Sequence, residues 1–393
     1  MFKTKMVADA WPIDHYWASF AASAVPRWIF QHRFMKIAPS DAKVKEGNNM
    51  LSASSDSWNT LGDAIETIAQ PMKPSRVVAC IDAMSDAEKI MPFSVLAAEA
   101  LNGELTLIRI IETASNQGRP TDPIASNLLR QEAALQLNRL AKKWARNPDN
   151  TQAVVLEGRA SDQICQWAQE RQIDLTIICS SHDNPICAWD VGETARRVMD
   201  CVTSSVMIIP EKAAARTSIL CSKIIAPLDG SSRAESALPI ALRLAKSCNA
   251  ELVVAHAVPQ PEFTMTGPSQ PEDEDLRRRI LKRNEYAGRD YLNRLQPRLS
   301  DQGVSVSTRL LTGGDPRHLI NRAILDENAD MVVMSSHGHS GHVDVAAGSV
   351  ASHFMTHTPI PLFIVRTTHA TQFEKLGAAE NTSNCRFPFD NVA

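Results

Sequence analysis

The sequence predicts an α/β protein built from two tandem doubly wound domains, each holding a five-stranded parallel sheet. Three observations predict this. Residues 75–212 and 222–367 repeat one layout. Within each repeat, short apolar strands alternate with helical patterns, which is how a parallel sheet covered on both faces is written. Each repeat is also the right length for five strands and four helices of one open sheet.

The elements follow in order. Each repeat opens with an apolar strand that ends in aspartate, Arg76 to Asp82 and Lys223 to Asp229. A helix follows, near 86–101 in the first repeat and 232–248 in the second. In the second, Ala234, Leu238, Ala241, Leu242 and Leu244 fall on one face. The next strands are Glu104 to Ile111 and Glu251 to Val258. A polar connection then leads to a long helix. In the second repeat it begins Glu272-Asp273-Glu274-Asp275, acidic residues that suit the positive end of the helix dipole. A third strand ends at Leu156-Glu157-Gly158 or Leu311-Thr312-Gly313-Gly314. A further helix leads to strand four, Leu175 to Cys179 and Met331 to Met334. A loop, a short helix and a last strand close each repeat, the last strands being Ser205 to Pro210 and Pro361 to Arg366.

The loop after strand four differs between the repeats. The second reads Met334-Ser335-Ser336-His337-Gly338 and runs to Gly348-Ser349-Val350 at a helix start. A glycine loop between strand and helix can present backbone N–H groups to a phosphate. Matching Ser180-Ser181-His182 to Ser335-Ser336-His337 replaces Gly338 by Asp183, Gly348 by Glu193 and Ser349 by Thr194. Pro185 in the first loop also lacks an N–H donor. Carboxylates there repel phosphate, so the first repeat reads as the structural half of a pseudo-dimer.

Bulk properties exclude several classes. A net charge of −3 gives no electrostatic footprint for nucleic acid. No apolar run reaches the roughly 18 residues of a membrane span. The cysteines at 80, 165, 179, 187, 201, 221, 248 and 385 form no CxxC pair, and several sit in apolar runs. They read as reduced, buried thiols of a cytoplasmic protein rather than a disulfide frame. Residues 1–74 belong to neither repeat and carry Trp11, Trp17, Trp28 and Trp58. A poorly ordered extension, or a start at Met50 or Met72, is the reading taken; an amphipathic segment lying on a membrane surface is the alternative. Residues 368–393 read as a loose polar tail.

The order strand, Ser335-x-x-Gly338, nine residues, Gly348-Ser349, helix resembles the nucleotide-binding branch of the universal stress protein family, whose signature is G-x2-G-x9-G-[ST]. Pro227-Leu228-Asp229-Gly230-Ser231, Gly314-Asp315-Pro316 and the closing Pro361 to Arg366 match it too. The resemblance covers 222–367 strongly and 75–212 weakly. It implies the adenine nucleotide alpha hydrolase-like fold, strand order 3-2-1-4-5, and one adenine nucleotide in the second domain: ATP, or ADP or AMP, with room for Mg2+. By that resemblance Asp229 contacts the adenosine end, framed by Pro227 and Leu228, and Ala257 stands where backbone reads adenine. Met334, Gly338 and His339 belong to the phosphate loop, and Gly348, Ser349 and Val350 offer helix-start amides and a hydroxyl. Family members pair through their last strands, so 205–210 and 361–366 are expected to pair within the chain, with a further homodimer left open. Four departures stand out: Ser335 at the first signature glycine, His339 where many relatives are basic, Asp344 within the loop, and Ala346-Ala347 where a bulkier apolar pair is expected before Gly348.

A rival constellation is the set His337, His339, His342, His353 and His357, with the last two at chelating i, i+4 spacing but no ligand set completed. No catalytic arrangement emerges: there is no GxxxxGK[ST], and no lysine lies between 331 and 370. The function expected is a stress-response binding or signalling module. A slow ATPase and a nucleotide-free scaffold acting through protein contacts are the alternatives.

Overall fold

The structure is a computed structural model that describes residues 74–82, 84–112, 123–144, 150–180, 192–210, 221–261, 270–339 and 347–366. The extension, the tail, the first-repeat loop from Asp183 to Trp189, and His342 and Asp344 lie outside the described residues.

The first half runs β1 (Arg76–Cys80), α1 (Met84–Ala100), β2 (Glu104–Ile111), α2 (Pro123–Trp144), β3 (Thr151–Glu157), α3 (Ala160–Glu170), β4 (Leu175–Ser180), α4 (Glu193–Cys201) and β5 (Ser205–Pro210). The second runs β6 (Lys223–Leu228), α5 (Ser232–Glu235), α6 (Leu238–Cys248), β7 (Glu251–Pro259), α7 (Pro271–Ser300), β8 (Val306–Gly314), α8 (Pro316–Asp326), β9 (Met331–Ser335), α9 (Ser349–His357) and β10 (Leu362–Val365). The helix expected over 232–248 is therefore two. Pro239, in the first turn of α6, has no N–H to continue the ladder from α5.

The described strands join one ten-stranded sheet in the order β3-β2-β1-β4-β5-β10-β9-β6-β7-β8. Each half has the local order 3-2-1-4-5, and the two halves meet through their last strands. There β10 runs antiparallel to β5, with Phe363 opposite Met207, while the other ladders are parallel. Because the halves meet antiparallel, their strand carboxyl ends point to opposite margins of the sheet.

Helices cover both faces. Alternate strand residues such as Val77, Leu107, Ile224, Val254 and Phe363 pack under α1, α2, α6 and α7. Their neighbours Val78, Ile108, Ile225, Val253 and Ile364 pack under α3, α4, α8 and α9. Both clusters contain residues from both halves, so the halves share their cores. Burial on both faces explains why these strands read as continuous apolar runs.

The strand register corrects the alignment of the two loops. Leu175 stands opposite Val77 as Met331 stands opposite Ile224, and Thr176 opposite Val78 as Val332 stands opposite Ile225. The Asp174 carboxylate receives the Arg76 N–H as that of Asp330 receives the Lys223 N–H. Thr176 is therefore equivalent to Val332, and Ser180 to Ser336 rather than Ser335. The cause lies upstream. Val258 pairs Thr312 but Pro259 pairs Gly314, so Gly313, at φ 97°, is an extra residue in a β-bulge. The first half has no such bulge, and everything after it is displaced by one. Gly192 and Gly348 are then the equivalent helix N-caps, and Glu193, not Thr194, is equivalent to Ser349.

The cysteines are corrected in one respect. Cys165 and Cys201 form a disulfide between α3 and α4, with Cα atoms 5.9 Å apart. They lie on separate helices, where no spacing rule would pair them. Cys80, Cys221 and Cys248 are free thiols, and burial pushes the Cys80 thiol up to about 12.

Candidate functional site

At the carboxyl end of β6 the chain turns through Asp229-Gly230-Ser231. Ser231 closes the turn onto Asp229 Oδ1 with its N–H (2.9 Å) and its hydroxyl (2.6 Å). The same hydroxyl oxygen accepts the Ala234 N–H and caps α5. The second Asp229 oxygen reaches the neighbouring strand end and accepts the His339 N–H at 2.6 Å. The first strand and the glycine loop, adjacent only by hypothesis in the sequence, thus meet at this carboxylate. Burial pushes the Asp229 carboxyl up, but the hydrogen bonds from Ser231 and His339 outweigh it and hold the group below the ordinary carboxylate range.

Gly338 is explained by this contact. A Cβ there would lie 2.1 Å from Asp229 Oδ2, so only glycine allows the loop so close. Gly348 is different. Its φ of −68° is open to any residue, and a Cβ would meet nothing nearer than the Ser336 carbonyl at 3.6 Å. Its N–H donates to that carbonyl (2.8 Å), and the Ser336 N–H donates to Val365 (2.9 Å). The loop is therefore tied at both ends to β9 and β10.

The helix starts at this margin are not alike. Ser231 caps α5 and Asp315 caps α8 through their side chains, whereas the N-cap of α9 is Gly348, which has no side-chain oxygen to offer. First-turn amides without a side-chain acceptor are suited to an anion.

Asp229, Gly338 and His339 are in contact, and Gly348, Ser349 and Val350 begin α9 on the same loop. Ala257 lies near the carboxyl end of β7, opposite Leu311. Pro227, Leu228 and Met334 are buried strand residues, with Met334 in the core beneath α9. The Leu228 carbonyl is taken by His256 Nδ1 at 2.9 Å.

Sequence reasoning missed a buried polar group beneath the site. The Tyr291 hydroxyl donates to Glu235 Oε1 at 2.8 Å, and the Tyr291 ring lies 5.6 Å from that of His256. Gly288 makes room for His256: a Cβ there would be 2.8 Å from its ring. Burial pushes Glu235 up, against the opposing effect of the Tyr291 hydrogen bond, and pushes His256 down. These three residues come from different elements, so no local motif joins them. Ser231 was not singled out either, although Asp-Gly-Ser is a turn signal that could have found it.

The equivalent margin of the first half carries a charge. Glu193, the first residue of α4, holds Arg159 at 2.7 Å and has Arg197 at 3.9 Å. Of the histidines, His353 and His357 stack with centroids 4.3 Å apart. Among the described residues no group of three or more His, Cys, Asp and Glu is arranged to hold a metal ion. No described helix is long and apolar enough to cross a membrane.

Comparison with known proteins agrees with the duplicated fold. The chain is 28% identical over 152 residues to universal stress protein YxiE of Bacillus subtilis (strain 168), spanning 37% of this chain and 99% of that protein. It is 26% identical over 147 residues to universal stress protein MJ0531 of Methanocaldococcus jannaschii, spanning 37% of this chain and 83% of the relative. A solved universal stress protein from Archaeoglobus fulgidus DSM 4304 is similar over 74% of this chain and 98% of its own, at 15% identity and a TM-score of 0.49. The sequence pattern of the universal stress protein family matches twice, at residues 74–210 and 221–366, and the chain belongs to that family.

Proposed function

We propose that the second half binds one adenine nucleotide (ATP, or ADP or AMP) and that the protein works as a nucleotide-responsive binding module in a stress response. The observation that carries this reading is Gly348. Neither backbone conformation nor packing requires glycine there. It stands at the start of a helix whose first turn has no side-chain cap, on a loop anchored at Asp229. A glycine the fold does not need, placed at a helix start without a side-chain cap, suits the close approach of a ligand's phosphate.

The residues fit such a ligand in character. Gly348, Ser349 and Val350 supply amides and one hydroxyl, and Asp229 supplies a carboxylate acceptor for ribose or base. A bound nucleotide contributes negative charge and acceptors at the α9 start, and Mg2+ is its natural companion. The chain's own contribution is to hold and orient. The Asp229 carboxylate is already ionised and fixed by Ser231, and the loop is tethered through Ser336 to β10.

Isothermal titration of the full chain with ATP, ADP and AMP tests the proposal. Binding is expected for the wild type and, weakened, for Gly348→Ala. A loss of about tenfold or more is expected for Gly348→Glu, which sets a carboxylate at the helix start. Absence of binding by the wild type overturns the reading in favour of a nucleotide-free scaffold. Sustained turnover that disappears in Gly348→Glu instead supports a slow ATPase.

A further inference from the structure

In the first half, α3 and α4 lie side by side and are joined in three steps. Arg159 pairs with Glu193 at 2.7 Å, Asp162 lies 3.8 Å from Arg197, and Cys165 is bonded to Cys201. Each step advances about one turn along both helices. Beneath this seam Ile164, Ala168, Ala195 and Val198 pack in one apolar cluster. The seam is thus closed by ion pairs and apolar burial before the disulfide is counted.

The other half shows that the fold does not require the covalent link. By the corrected register, Asn321 and His357 occupy the positions of Cys165 and Cys201. Across that seam Asn321 faces His353 (3.4 Å between side-chain nitrogens), and His357 stacks on His353 within α9. The two cysteines are also only partly buried, in contrast to Cys221, which is buried and whose thiol is pushed up by its hydrogen bond with Cys248 and by burial.

Cys201 sits in a turn with a second attachment. The Arg366 guanidinium, from the end of β10 in the other half, donates to the carbonyls of Met199 and Val202. Next to Arg366, the Val365 carbonyl receives the Ser336 N–H at the root of the glycine loop. The bond therefore lies at the junction of the halves.

We propose that Cys165 and Cys201 form a reversible redox site, oxidised by peroxide and reopened by small thiols. In the forward direction one thiolate attacks a peroxide oxygen. The O–O bond breaks, water leaves and a sulfenic acid remains. The second thiol attacks that sulfur, the S–S bond forms and a second water leaves. Two thiols have then lost two electrons and two protons to one hydrogen peroxide. In reverse, two glutathione thiols take up the oxidising equivalents by thiol–disulfide exchange and become glutathione disulfide. Opening the bond leaves the α4 end held by the ion pairs and by Arg366, a looser attachment with the same fold.

The test uses the full chain, reduced with dithiothreitol, desalted, and titrated with hydrogen peroxide. Iodoacetamide blocking and non-reducing tryptic mass mapping then read the thiols. We expect the peptide of residues 160–171 to become joined to that of residues 198–212 with loss of two hydrogens, and to separate again when the folded protein meets glutathione. The melting temperature of the wild type should fall by about 5–10 °C on reduction, and the Cys165→Ser variant should show no redox dependence. Should that variant fail to fold, the wild-type mapping decides alone. Full alkylation of both cysteines after peroxide overturns the proposal, as does a bridge mapped to Cys221–Cys248. A bond that glutathione cannot open in the folded chain also overturns it, by showing a fixed staple.

Discussion

Phe363 stands directly opposite Met207 in the antiparallel ladder that joins the two halves, and both side chains are fully buried. By the strand register they are equivalent positions, so the pseudo-twofold axis of the molecule passes through this pair. Leu362 opposite Ile208 and Ile364 opposite Val206 repeat the relation on either side. The seam satisfies the hydrogen-bonding edges of both last strands, which would otherwise invite pairing with another chain.

Separating the halves should expose those edges and open the shared cores. A fragment of residues 221–366 is expected to run as a dimer or larger species in size-exclusion chromatography with light scattering, whereas the full chain keeps this seam within itself. A stable, soluble monomeric fragment would show that the β5–β10 seam is not needed to complete the sheet.

Arg366 should matter more than its place at a strand end suggests. Its guanidinium serves two carbonyls at the end of α4 across the seam, and burial pushes its own proton affinity down. Charged hydrogen bonds of this kind are worth about 1.5–3 kcal/mol, so Arg366→Ala should lose an amount in that range, measured by urea unfolding. Arg366→Lys, which has no fork to reach both carbonyls, should recover only part of it.

The two loop glycines should separate cleanly. Gly338→Ala places a methyl against the Asp229 carboxylate and should cost about 1–3 kcal/mol of stability. Gly348→Ala meets only ordinary van der Waals contact and should stay within about 0.5 kcal/mol of wild type. Thermal melts of the two variants check the contrast, and equal losses would contradict the distinct roles given to these positions.

Glu235 gives a pH signature. Burial raises its folded proton affinity above the ordinary value of 4.5. A raised carboxyl contributes stability that is full below its unfolded value and is lost as pH rises through its folded value. Glu235→Gln retains an acceptor for Tyr291 and carries no charge. Its melting temperature should therefore exceed wild type near pH 7, with the advantage shrinking toward pH 4. Asp229 works in the opposite sense: its depressed value gives stability at neutral pH that is lost as pH falls below the ordinary 3.8. It is present in both proteins and cancels in the comparison.

Much of this architecture was legible because it depends on local pattern. The apolar strands that end in aspartate and the duplicated layout follow from periodicity and residue chemistry over a few positions, whereas the pairing of the last strands was implied by the family resemblance. The loop register was not legible. Three identical residues, Ser-Ser-His, suggested one alignment, while the single bulge at Gly313 sets another, and only the pairing of Pro259 with Gly314 reveals it. The corrected register changes the contrast between the halves. Gly192 keeps the helix-cap glycine, and what distinguishes the first half is Glu193 at the helix start, held by Arg159. The contact of Gly338 with Asp229, the Glu235–Tyr291 pair and the Cys165–Cys201 bond join distant segments, and tertiary packing alone brings them together.

The most direct test of the central claim is the stoichiometry of ATP binding to the full chain by isothermal titration. One nucleotide per chain, abolished by Gly348→Glu and unaffected by Glu193→Gln, is the expected result. No binding, or a stoichiometry of two, would contradict the assignment of a single site to the second half.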